Sequence, residues 1–108
     1  MELFNALESF ASLSQETRLR VFKLLVEYGR AGAMPGTIAT ELKIPGNTLS
    51  FHLSHMSQSR LVTSKKEGRS ITYFANSEVI EELIGFLQEN CCAREKKSKS
   101  KNGNERKC

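Results

Sequence analysis

The most distinctive chemistry in this sequence belongs to three cysteines near its C-terminal end. Cys91 and Cys92 are adjacent, and Cys108 is the last residue. The first residues lack the basic start and long apolar stretch of a signal peptide, so the chain is expected in the cytoplasm, where cysteines persist as thiols. Thiolates are soft metal ligands and redox centres. The cysteines are therefore predicted to be ligands or redox centres rather than a disulfide framework.

A second pair with possible metal chemistry is His52 and His55. Residues three apart on a helix share one side of it, and two such imidazoles can bind a metal. No third histidine, cysteine or aspartate lies nearby in the sequence. We favour nucleic-acid contact or packing for both histidines over a metal site.

Charge is unevenly distributed along the chain. Residues 43–70 carry five basic side chains against one glutamate, whereas residues 71–92 carry four glutamates and no basic side chain. Residues 93–108 carry seven basic and two acidic side chains. A basic surface in the middle segment favours a polyanionic partner.

Apolar periodicity and turn residues predict four helices, a β-hairpin and a fifth helix within one domain of residues 1–92. Ser14 is predicted to cap the second helix, and Asn76 or Ser77 the fifth. The fourth helix is predicted to run from about Asn47 to Arg60. This order predicts a mainly α winged helix-turn-helix. Residues 93–108 are expected to be a disordered basic tail, since they contain almost nothing apolar.

The fourth helix has the two faces that a helix in the major groove needs. One face is apolar and anchors it. The other carries small or hydrogen-bonding side chains suited to base edges, and an exposed aromatic ring suited to a thymine methyl group. The candidate DNA contacts on this helix are Asn47, Thr48, Ser50, Phe51, His52 and His55.

Basic residues surround the predicted hairpin turn at Gly68. Lys65, Lys66 and Arg69 are suited to phosphate contacts or to minor-groove insertion by a wing. A helix with a polar outer face followed by a basic hairpin predicts DNA binding. No nucleotide-binding loop, nucleophile elbow or paired acid and base is recognisable, so an enzyme is not expected.

Several motifs resemble the arsenical-resistance (ArsR/SmtB-type) repressors. Residues 45–56 resemble the recognition helix of that family, and residues 60–62 with 66–73 resemble its wing. Residues 17–21 and 38–42 match its second and third helices. The resemblance covers about residues 1–92.

The resemblance implies a homodimer formed through the first and last helices and bound to operator DNA. The last helix independently carries more apolar surface than one small domain can bury. The predicted interface consists of apolar residues on these two helices: Leu3, Leu7, Phe10, Ile80, Leu83, Ile84 and Leu87.

The resemblance also implies an inducer, although family members hold it in different places. The helix before the recognition helix has no Cys-Val-Cys motif, and the last helix has no aspartate or histidine for zinc. The remaining candidates, Cys91, Cys92 and Cys108, resemble sensors with an adjacent cysteine pair and a third cysteine. In those relatives the third cysteine lies closer to the pair than Cys108 does.

The resemblance therefore implies a repressor that releases DNA on binding trivalent arsenic, and no cofactor is expected. Arsenite is the first candidate inducer, and methylarsenite, which needs only two thiols, is the second. Antimonite is a further candidate. One alternative is a redox sensor in which Cys91 or Cys92 pairs with Cys108. Another is a winged-helix module that binds protein instead of DNA.

Overall fold

The computed structural model describes residues 1–95, which contain five helices and one antiparallel hairpin. The elements are α1 (Leu3–Leu13), α2 (Glu16–Tyr28), α3 (Pro35–Leu42), α4 (Gly46–Gln58), β1 (Val62–Glu67), β2 (Ser70–Ala75) and α5 (Ser77–Gln88). A short 3-10 turn, Gly29–Ala31, follows α2. The predicted winged helix-turn-helix is confirmed. Most of the predicted tail, including Cys108, lies outside the described residues.

The core forms where α2, α3 and α4 meet. Val21 and Leu25 of α2, Ile38 of α3, and Leu53 and Met56 of α4 are almost completely buried. Residues at the start of β1 and on the inner side of α5 close the same cluster. Removal of these apolar surfaces from water is the main force that holds the helix-turn-helix together. No helix within residues 1–95 has the length and apolar character needed to cross a bilayer.

The junction between α1 and α2 differs from the prediction. Ser14 has φ −78° and ψ 0°, and its hydroxyl donates to the carbonyl of Ala11, so it ends α1. Gln15 is extended, with φ −98° and ψ 133°, and its side-chain oxygen accepts from the backbone N–H of Arg18 at 2.8 Å. An N-cap needs this extended backbone. Gln15 therefore caps α2, and the predicted cap at Ser14 is wrong.

A tight turn separates α3 from α4. Lys43 has a left-handed backbone with φ 55°, and the N–H of Ile44 returns to the carbonyl of Ala39 at 3.0 Å. Pro45 then precedes the first residue of α4, where its fixed φ suits a helix start. The helix ends at Gln58, slightly earlier than predicted, because Arg60 has φ 64° and leaves it.

The wing is a regular hairpin joined to the helices at its base. Its register pairs Val62 with Ala75 and Glu67 with Ser70, and Gly68 supplies φ 64° in the turn. At the base, Ala33 and Tyr73 exchange two backbone hydrogen bonds of 3.0 and 2.9 Å. The segment before α3 thus adds a one-residue bridge to the outer edge of β2.

The approach of this segment to β2 requires a glycine. Gly32 has φ 65°, and a Cβ placed there would lie 2.6 Å from both the Phe74 ring and the carbonyl oxygen of Tyr73. Such distances are far inside van der Waals contact. Gly32 therefore permits the close packing that holds the wing against the helix-turn-helix.

Candidate DNA-binding interface and cysteine pair

The exposed surface of α4 includes four of the six side chains predicted to read DNA. Asn47, Thr48 and Ser50 are exposed in its first turns, and Phe51 is 65% exposed. The side-chain oxygen of Asn47 accepts from the backbone N–H of Thr48 at 2.9 Å. The opposite face of the helix lies in the core, so these polar groups and the Phe51 ring are held outward by burial of their neighbours. Such a face can offer hydrogen bonds and one apolar contact to base edges.

The two histidines of α4 face the interior of the domain. His52 is only 8% exposed, and its Nδ1 lies 3.2 Å from Nη1 of Arg18. Burial, followed by the charges of Arg18 and His55, lowers the pKa of His52. Of the two roles predicted for His52, its burial supports packing, and the DNA contact stays a prediction.

His55 is half-buried, and its Nδ1 lies 3.2 Å from the hydroxyl oxygen of Ser12. It lines a shallow cavity with residues of α1, including Glu8 and Ala11. One ring nitrogen is therefore engaged inside the domain. A DNA contact by the remaining edge of the ring stays a prediction.

The basic side chains of the wing are exposed. Lys65 pairs with Glu67 at 3.6 Å, and both side chains are open to solvent. Lys66 and Arg69 are also exposed, one before and one after the Gly68 turn. An exposed ion pair contributes little stability, so Lys65 can exchange its partner for a phosphate at low cost. The hairpin thus presents cations on a scaffold that is held at its base.

The base of the wing also contains contacts that the sequence did not indicate. The side-chain amide of Asn76 donates to the carbonyl of Arg60 at 2.8 Å, and Arg60 pairs with Glu82 of α5 at 3.4 Å. Asn76 precedes α5 as its N-cap residue, but its side chain makes no capping bond. Its amide instead joins the end of α4 to the start of α5.

The predicted dimer residues differ in exposure: five are exposed to solvent, and two residues of α5 are partly or fully buried. On α1, Leu3, Leu7 and Phe10 are exposed, while the buried residues of that helix are Ala6, Ser9 and Ser12. On α5, Ile84 and Leu87 are exposed, with Leu87 at 65%. Ile80 is half-buried against the core. Leu83 is only 4% exposed in the single chain, and its part in an interface stays a prediction.

The cysteine pair lies in turns just after α5. The N–H of Cys91 bonds to the carbonyl of Gln88, the last residue of the helix. Asn90 and Cys92 have φ values of 58° and 64°, which fold the chain tightly around the pair. The two Sγ atoms are 3.7 Å apart. Within residues 1–95 no group of three or more histidine, cysteine or acidic side chains is arranged to hold a metal ion.

Comparisons with known proteins agree with this architecture. A family model described as a helix-turn-helix domain matches residues 13–65. An uncharacterised HTH-type transcriptional regulator of Methanocaldococcus jannaschii is 33% identical over 84 residues, which are 78% of this chain and 92% of that protein.

Two solved structures extend the likeness to the whole fold. An ArsR-like transcriptional regulator from Rhodococcus sp. RHA1 is 30% identical, with a TM-score of 0.70 over 83% of this chain and 81% of the other. A homodimeric winged helix-turn-helix DNA-binding domain from Mycobacterium bovis is 20% identical, with a TM-score of 0.66 over 90% of each chain. The chain is a DNA-binding transcriptional regulator, not an enzyme, and it belongs to the ArsR-like winged-helix family.

Proposed function

We propose that this regulator is a homodimeric repressor that binds operator DNA through α4 and the wing, and releases it when trivalent arsenic binds the cysteine pair. The observation that carries the arsenical part is the 3.7 Å separation of two adjacent Sγ atoms at the end of α5. The DNA-binding part rests on family membership and on the exposed polar face of α4.

The cysteine pair has the spacing that one thiophilic centre needs. Trivalent arsenic holds its ligands in a pyramid, and the Sγ atoms of Cys91 and Cys92, 3.7 Å apart, are close enough for both to reach one such centre. Trivalent arsenic is soft, and thiolate is the softest ligand that a protein offers. A third thiolate would come from Cys108 or from the partner chain, whereas methylarsenite would need only the pair.

Dimerisation is supported by the apolar surface that a single chain leaves in water. Leu3 and Leu7 of α1 and Leu87 of α5 are each more than half exposed. A second copy could cover this surface by a two-fold interface in which the same patch meets itself. The homodimeric state of the Mycobacterium bovis neighbour supports the same arrangement here. Two α4 helices would then reach half-sites about one helical turn apart.

The position of the cysteines connects the inducer to the dimer. They follow α5 directly, so a ligand that draws them together, or draws Cys108 to them, changes the end of a helix with exposed apolar residues. A coupling of about 1–3 kcal/mol between this site and the DNA surface would lower DNA affinity roughly 5- to 150-fold.

The test is a fluorescence-anisotropy titration with labelled duplex from the gene's own promoter, at moderate salt and with reductant. Arsenite, methylarsenite, antimonite, zinc and peroxide are added separately. We expect arsenite to release the duplex from the wild type but not from Cys91→Ser or Cys92→Ser, both of which still bind DNA. Normal release from either variant would contradict the proposal.

Cys108→Ser distinguishes the two arsenicals. Loss of arsenite release in this variant would indicate a three-thiol site. Release by methylarsenite alone, unchanged in Cys108→Ser, would indicate a two-thiol sensor of methylated arsenic. Release by peroxide and by no metalloid would replace the arsenic proposal with a redox sensor, and absence of binding to any duplex would favour a protein-binding module.

A further inference from the structure

Four polar side chains from three helices meet behind the exposed face of α4. The guanidinium of Arg18 in α2 donates from Nε to the carbonyl of Ser12 at 2.8 Å and lies 3.2 Å, through Nη1, from Nδ1 of His52. The hydroxyl of Ser12 in α1 lies 3.2 Å from Nδ1 of His55. Arg18 and Ser12 therefore bridge α1 and α2 to two residues one turn apart on α4.

These contacts lie in the interior of the domain, where polar groups need hydrogen-bond partners. Ser12 is fully buried and His52 nearly so. A buried polar group without a partner is costly, so the domain favours the arrangement that keeps the contacts. Because arginine has only donors, Nδ1 of His52 must accept, which places the proton of the neutral ring on Nε2.

The remaining contacts of α4 with the domain differ in kind. Leu49, Leu53 and Met56 bury apolar surface, and such contacts carry little directional preference. Hydrogen bonds weaken steeply when their angle changes, so those to His52 and His55 define the rotation of α4 about its axis. The His52 ring also packs edge-on against Phe51, with centroids 5.4 Å apart, and so supports an exposed ring predicted to touch DNA.

We propose that Ser12, Arg18, His52 and His55 form a polar clamp that fixes the rotation of α4, and that Arg18 and His52 are positioning residues for sequence-specific DNA binding. The clamp also joins α4 to α1, whose other face carries the predicted dimer residues. The inference rests on the proposal that α4 enters the groove. It is independent of which inducer acts.

The clamp requires a neutral His52, which makes its strength depend on pH. Protonation would remove the acceptor for Arg18 and place a second cation beside it. The groups around the histidines are Arg18 from α2, His55 from α4 itself, and Ser12 with Glu8 from α1. Since burial keeps the His52 ring neutral below the ordinary histidine value of 6.5, the clamp should open only in more acidic solution.

The test compares binding to a duplex from the gene's own promoter with binding to a scrambled duplex of equal length and composition. The variants are Arg18→Lys, which keeps the charge but loses the fork of donors, His52→Leu, which removes the acceptor, and His52→Asn, which keeps an acceptor near Nδ1 but does not titrate. Arg20→Lys is the matched control, because Arg20 is exposed on the same helix. Melting temperatures and circular dichroism are measured for every variant.

We expect the ratio of specific to non-specific affinity to fall about tenfold in Arg18→Lys and His52→Leu, the effect of losing one hydrogen bond to a charged group. In the wild type this ratio should decline in acidic solution, where the clamp opens. His52→Asn should keep most of the ratio and should not show this decline. Arg20→Lys should match the wild type. If His52→Leu fails to fold, the pair Arg18→Lys and His52→Asn still decides the outcome.

Two results would overturn the clamp as a positioning device. One is an unchanged ratio in Arg18→Lys. The other is an equal loss on both duplexes that follows the melting temperature, which would indicate a structural role alone. A separate variant tests the proposal that α4 enters the major groove. If Asn47→Ala leaves the ratio of specific to non-specific affinity unchanged, α4 is not the helix that contacts the bases.

Discussion

Helices α1 and α4 are both amphipathic, but they turn their apolar faces in opposite directions. In α4 the apolar side chains, among them Leu53 and Met56, point into the core, and polar side chains face outward. In α1 the large apolar side chains Leu7 and Phe10 face outward, and small residues such as Ser12 face the domain. An apolar stripe thus predicts that a face is buried, but not whether its own chain buries it.

The size of the inward residues explains the reversal in α1. Ala6, Ser9 and Ser12 are spaced by three and are almost completely buried. Small side chains let the backbone of α1 approach its neighbours closely, and the buried hydroxyl of Ser12 finds a partner in His55. The leucines on the other side are then left for a second surface, so α1 serves two interfaces with two classes of side chain.

The largest effect is expected from the inward face of α4. Leu53→Ala should lower the free energy of unfolding by about 2–5 kcal/mol, since it leaves a cavity in the core. Leu19→Ala, at an exposed position on α2, should change it by less than about 0.5 kcal/mol. Urea denaturation at one fixed protein concentration measures both. Equal effects would mean that the inward face of α4 does not carry the packing described for it.

A substitution on the outward face of α1 should weaken the dimer rather than destabilise the fold of the single chain. Leu7→Glu would place charges without partners in the proposed interface, and we expect the dimer dissociation constant to rise by at least about 100-fold. Sedimentation equilibrium measures this, and the matched control is Leu19→Glu, at an exposed apolar position outside the predicted interface. An unchanged dimer, or no dimer in the wild type, would contradict the proposed use of α1.

The outward face of α4 should respond in DNA recognition. Asn47→Ala should weaken binding to the preferred duplex by about 1–3 kcal/mol, as expected for loss of one bidentate base contact. Lys66→Ala in the wing should instead weaken binding to all sequences alike and reduce the salt slope by roughly 0.9. Salt titrations by anisotropy separate the two cases. If Lys66→Ala weakened binding to the preferred duplex alone, Lys66 would contact bases rather than phosphates, and this prediction would be wrong.

The smallest expected effect concerns His52, which lies on the buried side of α4 and contacts Arg18 of α2. Its pKa is lowered in the folded chain, so the native state binds fewer protons than the unfolded state just below the ordinary value of 6.5. The contribution of His52 to the free energy of unfolding should therefore be fully present above that value and be lost as the solution is acidified through the lowered pKa. Urea denaturation of the wild type and His52→Asn at several pH values tests this, and an identical slope in both would refute it.

Local patterns were sufficient to predict the order of the elements. The 3.6-residue apolar period of α4, the β-forming residues around Gly68 and the sequence Pro45-Gly46 before α4 each depend on near neighbours. The inward position of Leu53 and the exposure of Phe51 follow from the same period. Errors at this level were small, such as the cap at Ser14, where serine propensity was outweighed by the backbone of the preceding turn.

Contacts between distant residues could not be predicted in this way. His55 meets Ser12, and His52 meets Arg18, across separations of 43 and 34 residues. Nothing in the period of α4 distinguishes a histidine that bonds to another helix from one that reaches DNA. The available signal was weaker: buried-side serines on α1 that no apolar stripe explains, and an arginine among the otherwise apolar inner positions of α2.

The backbone bridge between Ala33 and Tyr73 has a further consequence for how the domain assembles. It joins residues forty positions apart, so α3, α4 and β1 lie inside one closed loop of the chain. Closing that loop costs entropy, which packing of the enclosed elements offsets. The hairpin depends on local contacts alone, so we expect it to form before it docks onto the helices inside the loop. The wing should therefore take its place beside α4 in one late, cooperative step of folding. The backbone amides of Ala33 and Tyr73 should be among the last to become protected from hydrogen exchange.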